Sequence, residues 1–125
     1  MIREKIVVTG LGSVAPNGNN IEEFWNNLIE GVSGINPITY FDTTNHRVKI
    51  AGELKNFNPE LILEPNELRK LDPFSIYALI ASNEAISMSG LEIESLNSER
   101  LGVIIGTGVG GIQTLEDQHT IISDK

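Results

Sequence analysis

The sequence predicts an α/β fold, and three stretches carry the prediction. In the first, Leu101, Val103, Ile104 and Ile105 form a short apolar run rich in β-branched residues, the pattern of a strand buried on both faces. Glycines 106, 108, 110 and 111 follow at once, and then Ile112, Leu115, His119 and Ile122 recur at helical spacing. Strand, glycine turn and helix are the ground plan of an α/β sheet, whose ligands gather at the C-terminal ends of its strands. In the second stretch, Lys5-Ile-Val-Val-Thr9 reads as another buried strand running into Gly10 and Gly12. The third is a long helix over 73–89, closed by Gly90. Its small residues Ala78, Ala81, Ser82 and Ala85 let it lie close against a sheet or another helix.

Composition bounds the function. The chain has 125 residues, 40% of them apolar, enough for one ordinary domain with a core. A formal net charge of −8 argues against non-specific nucleic-acid binding and against docking on an anionic membrane. No apolar run is long enough for a transmembrane helix. Met1-Ile-Arg-Glu-Lys5 leads straight into a strand pattern, without the regions of a signal peptide, so a cytoplasmic protein is expected. The absence of cysteine removes both a disulfide framework and thiol chemistry from these residues.

The remaining elements follow in order. Pro16-Asn-Gly-Asn-Asn20 is turn chemistry. Asn20 then caps a helix, with Glu23 reaching back in a capping box. Ile21, Phe24, Trp25, Leu28 and Ile29 make its apolar face, with Trp25 as a packing anchor, and Gly31 stops it. Residues 32–47 carry Gly34, Pro37, Asp42, Thr43, Thr44 and Asn45 and read as a loop, with His46 a surface histidine. Val48, Ile50 and Leu54 alternate with charged residues in a short half-exposed strand interrupted by Gly52. Asn58-Pro59 starts a short helix that ends before Pro65, and Asn66–Leu71 adds another helical turn. Asp72-Pro73 opens the long helix, and Glu92–Ser98 is a polar connection.

Two glycine motifs suggest a dinucleotide site. Gly10, Gly12 and Ala15 match G-x-G-x-x-A, but turn residues follow where a phosphate-binding helix would have to begin. Gly106, Gly108 and Gly111 match G-x-G-x-x-G between a strand and a helix, yet the second strand with its acidic residue is missing. The alternative is a turn that lets backbone pass close to a neighbouring segment.

Taken together, Val7-Val-Thr-Gly-Leu-Gly12, Pro16-x-Gly18, Gly34-Ile35, Phe41-Asp42, Ala51-Gly52, Phe57-Asn58, Arg69-Lys70-x-Asp72 and Ile105-Gly-x-Gly-x-Gly-Gly111 resemble the amino-terminal part of the β-ketoacyl-acyl-carrier-protein synthases. The type II bacterial elongating enzymes are the most similar. The resemblance implies a thiolase-like fold, of which residues 1–125 would be an incomplete N-terminal half, a mixed sheet with covering helices from an αβαβα whole. Segments 4–10 and 101–106 would be neighbouring strands. The implied reaction is a decarboxylative Claisen condensation. A cysteine at a strand-to-helix elbow takes the acyl group as a thioester, and two histidines help decarboxylate malonyl-carrier protein and stabilise the enolate and oxyanion.

None of those catalytic positions falls in this sequence. The nucleophile is expected beyond Lys125, and neither His46 nor His119 matches a catalytic histidine. The sequence is therefore expected to be a truncated part, inactive alone, because without a thiol no acyl-enzyme forms. The resemblance assigns carrier-protein docking to Arg69 and Lys70, although the family's basic patch extends to a position near Asn66. A solvated helix end is the alternative. It places Val109, with Gly108 and Gly110, at the border of the acyl pocket. It implies no cofactor and no metal, an acyl carrier protein as partner, and a homodimer for the full-length family. Two other functions stay open: a non-catalytic partner subunit that shapes chain length, and a small nucleotide-binding module using Gly106–Gly111. The uncovered strand edges and apolar faces predict an aggregation-prone or partner-dependent chain.

Overall fold

The computed structural model describes residues 5–124. Met1–Glu4, with the expected start of the first strand, and Lys125 lie outside the described residues. In chain order the elements are α1 (Ile21–Ile29), β1 (Ile35–Pro37), β2 (Ile50–Gly52), α2 (Pro65–Leu68), α3 (Pro73–Ser89) and α4 (Ile112–Ser123). Single 3₁₀ turns lie at Pro59–Leu61, Ile93–Ser95 and Ser98–Arg100. The chain forms two compact units. The first holds the residues up to Asn58 together with Ile80–Leu91, and the second holds Pro59–Leu79 and the residues from Glu92 onward.

The first unit is organised by close backbone packing. A Cβ on Gly12 would strike the carbonyl oxygen of Ala81, and one on Gly10 that of Ala85. The expected small-residue face of α3 is thus used at Ala81 and Ala85, with Gly10 and Gly12 as its counterpart. These two glycines serve helix packing. A second knot surrounds Pro16, whose turn is closed by paired hydrogen bonds between Ala15 and Gly18 at 2.9 and 3.0 Å. Pro16 fills the space that side chains would need at Gly34 and Gly52.

Helix α1 starts and stops by local chemistry. The Asn20 side chain accepts from Glu23 N at 2.8 Å. Glu23 in turn accepts from the N–H of Asn19 at 2.9 Å, one residue earlier than the capping box places it. At the other end Gly31 takes φ +70°, and the N–H groups of Gly31 and Val32 bond to Leu28 and Asn27, a Schellman closure. The sequence reading did not single out Glu84. Its carboxylate accepts from Ser13 N and from Ile21 N, each at 2.8 Å, and so ties α3 to both the glycine segment and the first residue of α1.

Strands β1 and β2 pair antiparallel, with Ile35 opposite Gly52 and Pro37 opposite Ile50. The expected loop over 32–47 therefore contains a strand, because Ile35-Asn-Pro37 finds its hydrogen bonds in a distant segment. The strand expected from Val48 to Leu54 contracts to Ile50–Gly52. Beyond it, the Glu53 carboxylate accepts from the hydroxyl and N–H of Thr39 and from Tyr40 N. The Thr39 hydroxyl first, and its amide next, hold Glu53 below the usual carboxylate range. Asp42 is lowered likewise by the Thr44 hydroxyl and amide. His46 is exposed and stacks edge-on to Phe41 at 5.3 Å.

Three expectations about packing fail. Within its own unit, neither residues 5–9 nor residues 101–106 is part of a ladder among the described residues, and each run is exposed; Ile6 and Ile104 are each 99% accessible. A strand needs a neighbour to take its hydrogen bonds, and among the described residues of its own unit neither segment has one. Trp25 is 60% exposed and anchors no core. Among the described apolar residues only Ile80, at 5%, is fully buried.

Candidate functional site

The second unit carries every residue assigned a site role by resemblance. Pro65, at the first helical position, opens α2 with its φ already suited to a helix. Arg69 is the C-cap, its N–H bonding Pro65 O, and Lys70 N bonds Glu67 O at 2.9 Å. Both cationic side chains are exposed. Lys70 also borders an apolar recess of about 400 Å³, together with Leu63, Glu67, Leu71 and Leu79.

Asp72 follows directly. Its carbonyl accepts from Ser75 N at 3.0 Å and Ile76 N at 3.2 Å, beginning α3. Its carboxylate accepts a hydrogen bond from the Thr114 hydroxyl on the first turn of α4. The same carboxylate occupies the space where a Cβ of Gly111 would stand. One short side chain thus joins the basic helix end to the far end of the glycine turn. In the sequence Asp72 closes the Arg69-Lys70-x-Asp72 motif and starts a helix. Its partners lie some forty residues downstream, and no local pattern marks them.

The turn itself is held at its C-terminal end. Gly110 takes φ +75°, its N–H meets the Thr107 hydroxyl at 3.1 Å, and it faces the ring of Phe74. Gly106 and Gly108 have no neighbour within 4 Å of where a Cβ would sit. The close backbone approach expected of these glycines is therefore confined to Gly111. Val109 is 73% exposed, and Gly108 and Gly110 flank it. A dinucleotide fares poorly here. The Asp72 carboxylate already stands at the first turn of α4, where a pyrophosphate would have to sit, and like charges there repel.

Among the described residues no cluster of three or more His, Asp or Glu could hold a metal ion. None of their helices is long and apolar enough to cross a membrane.

The comparison with known proteins is decisive on kinship. The family profile described as "Beta-ketoacyl synthase, N-terminal domain" matches residues 3–124. The chain belongs to the β-ketoacyl synthase family. It is 43% identical over 123 residues to the 3-oxoacyl-[acyl-carrier-protein] synthase 2 of Synechocystis sp., covering 98% of this chain and 30% of that protein. It is 42% identical over 122 residues to the protein of the same name from Staphylococcus aureus (strain COL), again with 98% and 30% covered. The chain thus spans about a third of the length of these β-ketoacyl synthases.

Solved ketosynthases agree. One, in a complex of a type II PKS acyl-carrier protein with its ketosynthase bound to the hexaketide, matches with a TM-score of 0.75 and 27% identity over 94% of this chain and 31% of that one. The ishigamide ketosynthase/chain length factor matches with a TM-score of 0.71 and 29% identity, covering 94% and 30%. The fold is accordingly the α/β, thiolase-like fold of the family in its N-terminal part.

Proposed function

We propose that residues 1–125 are the N-terminal part of a ketosynthase domain in a 3-oxoacyl-[acyl-carrier-protein] synthase. The full-length protein would elongate acyl chains by decarboxylative condensation with malonyl-carrier protein. The observation that carries this reading is 43% identity across 98% of the chain to a synthase of that name. Within it, Arg69 and Lys70 would meet the acidic carrier protein. They are exposed cations on a chain of net charge −8, so charge complementarity has a defined place to act. Val109, with Gly108 and Gly110, would border the acyl pocket once the rest of the protein closes over it. The full-length protein would be a homodimer.

These 125 residues contain no cysteine, so they supply scaffold and docking surface and no thioester nucleophile. The test compares the full-length protein with the isolated chain in an elongation assay using acyl- and malonyl-carrier protein. The full-length protein should yield the β-ketoacyl product and the isolated chain none. Product from the isolated chain would overturn the assignment of roles. Full-length protein without activity would overturn the reaction.

A second reading, a chain-length partner subunit, is favoured by the likeness to the ketosynthase/chain length factor structure. It predicts that the full-length protein forms no acyl-enzyme, but alters product length when mixed with an active ketosynthase.

A further inference from the structure

Asp72 sits where two functions proposed above adjoin, and its contacts exceed those of a helix start. Its backbone carbonyl is committed to α3 through Ser75 and Ile76. Its carboxylate is committed to α4 through Thr114 and packs on Gly111. Two residues before it stands Lys70, and two after it stands Phe74, which faces Gly110. The glycine turn is therefore seated at its C-terminal end on Asp72 and Phe74, while Gly106 and Gly108 stand in open space. A turn anchored at one end takes its position from that anchor, and glycine at four of its six positions gives it little stiffness of its own.

We propose that Asp72, acting through Thr114, is a positioning residue that latches the glycine turn 106–111 and so sets where Val109 stands for an acyl chain. This rests on the reading of the full-length protein as a condensing enzyme. The latch needs a hydroxyl at 114 to donate, a carboxylate at 72 to accept, and no side chain at 111. Thr114→Val keeps the shape and removes the donor. Thr114→Ser keeps the donor. Gly111→Ala displaces the carboxylate.

The test uses the full-length protein and acyl-carrier substrates of several lengths. Thr114→Val and Gly111→Ala should each change the ratio of kcat/KM for long over short chains by about fivefold, and Thr114→Ser should restore it. A merely structural role would lower activity equally at all lengths and leave the ratio fixed. That result, or an unchanged ratio in both variants, overturns the latch. If the unaltered protein elongates nothing, it is the condensing-enzyme reading that fails. Hydrogen exchange then decides the latch by itself. Thr114→Val should speed exchange of the Thr107–Gly111 amides about fivefold while leaving the amides of Ala81–Ala85 unchanged. Equal exchange at the turn overturns it.

Discussion

At the scale of single residues, two side chains and a pair of cations can be tested one by one. Arg69 and Lys70 are exposed side by side, and their proposed task is to meet an acidic partner. Reversing both, Arg69→Glu with Lys70→Glu, should raise KM for acyl-carrier protein about tenfold in the full-length protein and leave kcat within about twofold. A small thioester lacking the carrier should react unchanged, and an unaltered carrier KM would remove the docking role. Val109 is a modest aliphatic side chain within the turn. Val109→Phe should shorten the acyl chains accepted, read as the longest product formed, and an unchanged product range would remove it from the pocket border. Glu84 has a structural task. Its carboxylate holds two backbone N–H groups, at Ser13 and Ile21, and both lose their partner in Glu84→Ala. That change should cost about 2–4 kcal/mol, since hydrogen bonds to a charged group are worth more than neutral ones. Glu84→Gln, which keeps one acceptor oxygen, should cost about half as much. Equal urea midpoints for all three proteins would show that the carboxylate holds nothing.

At the scale of elements, the seam between Gly10, Gly12 and α3 gives the sharpest contrast. A Cβ at Gly12 would meet backbone atoms of Ala81 and Ala85, which cannot swing away as a flexible side chain would. Gly12→Ala should therefore destabilise by about 2 kcal/mol or more. Gly102, with nothing within 4 Å and no positive φ, is its control, and Gly102→Ala should stay within about 0.5 kcal/mol. Thermal unfolding of the two variants side by side checks the pair, and equal shifts would dissolve the seam. The same seam shows how far the sequence could be read. Helices α1, α3 and α4 were legible because caps, stops and periodicity are local: Asn20 and Gly31 bound α1, and Gly90, at φ +66°, ends α3. The small face of α3 was legible too, but not its partner. Gly10 and Gly12 looked like half a nucleotide motif because a glycine chosen for helix contact and one chosen for phosphate contact read alike. Strand β1 was hidden in turn-forming residues, and its partner Ile50–Gly52 lies a dozen or more positions away. The carboxylates of Asp72 and Glu84 join segments 42, 63 and 71 residues apart, and no window on the chain contains both ends of such a bond. The family, by contrast, was legible from short motifs in order along the whole chain, since kinship is recorded in sequence even where contacts are not.

At the scale of the whole molecule, exposed apolar surface dominates. Exposed apolar side chains lie in identifiable segments of each unit. Ile6, Val7 and Val8 are bare in the first unit, as are Val103, Ile104 and Ile105 in the second, and along α4 Ile112, Leu115, Ile121 and Ile122 are exposed. Two apolar runs with unpaired backbone are the pattern that recruits further strands, and a one-sided helix such as α4 seeks a partner face. The chain on its own should therefore bind a hydrophobic dye and self-associate at micromolar concentration, with a broad thermal transition that depends on concentration. The full-length protein, in which the family's remaining two-thirds can cover those runs, should bind little dye and unfold sharply. Sedimentation and dye fluorescence on the two proteins decide between these pictures. A monomeric chain with one steep, reversible, concentration-independent transition would mean that these 125 residues close their own core. The exposed runs at 6–8 and 103–105 would then have to be covered from within the chain itself.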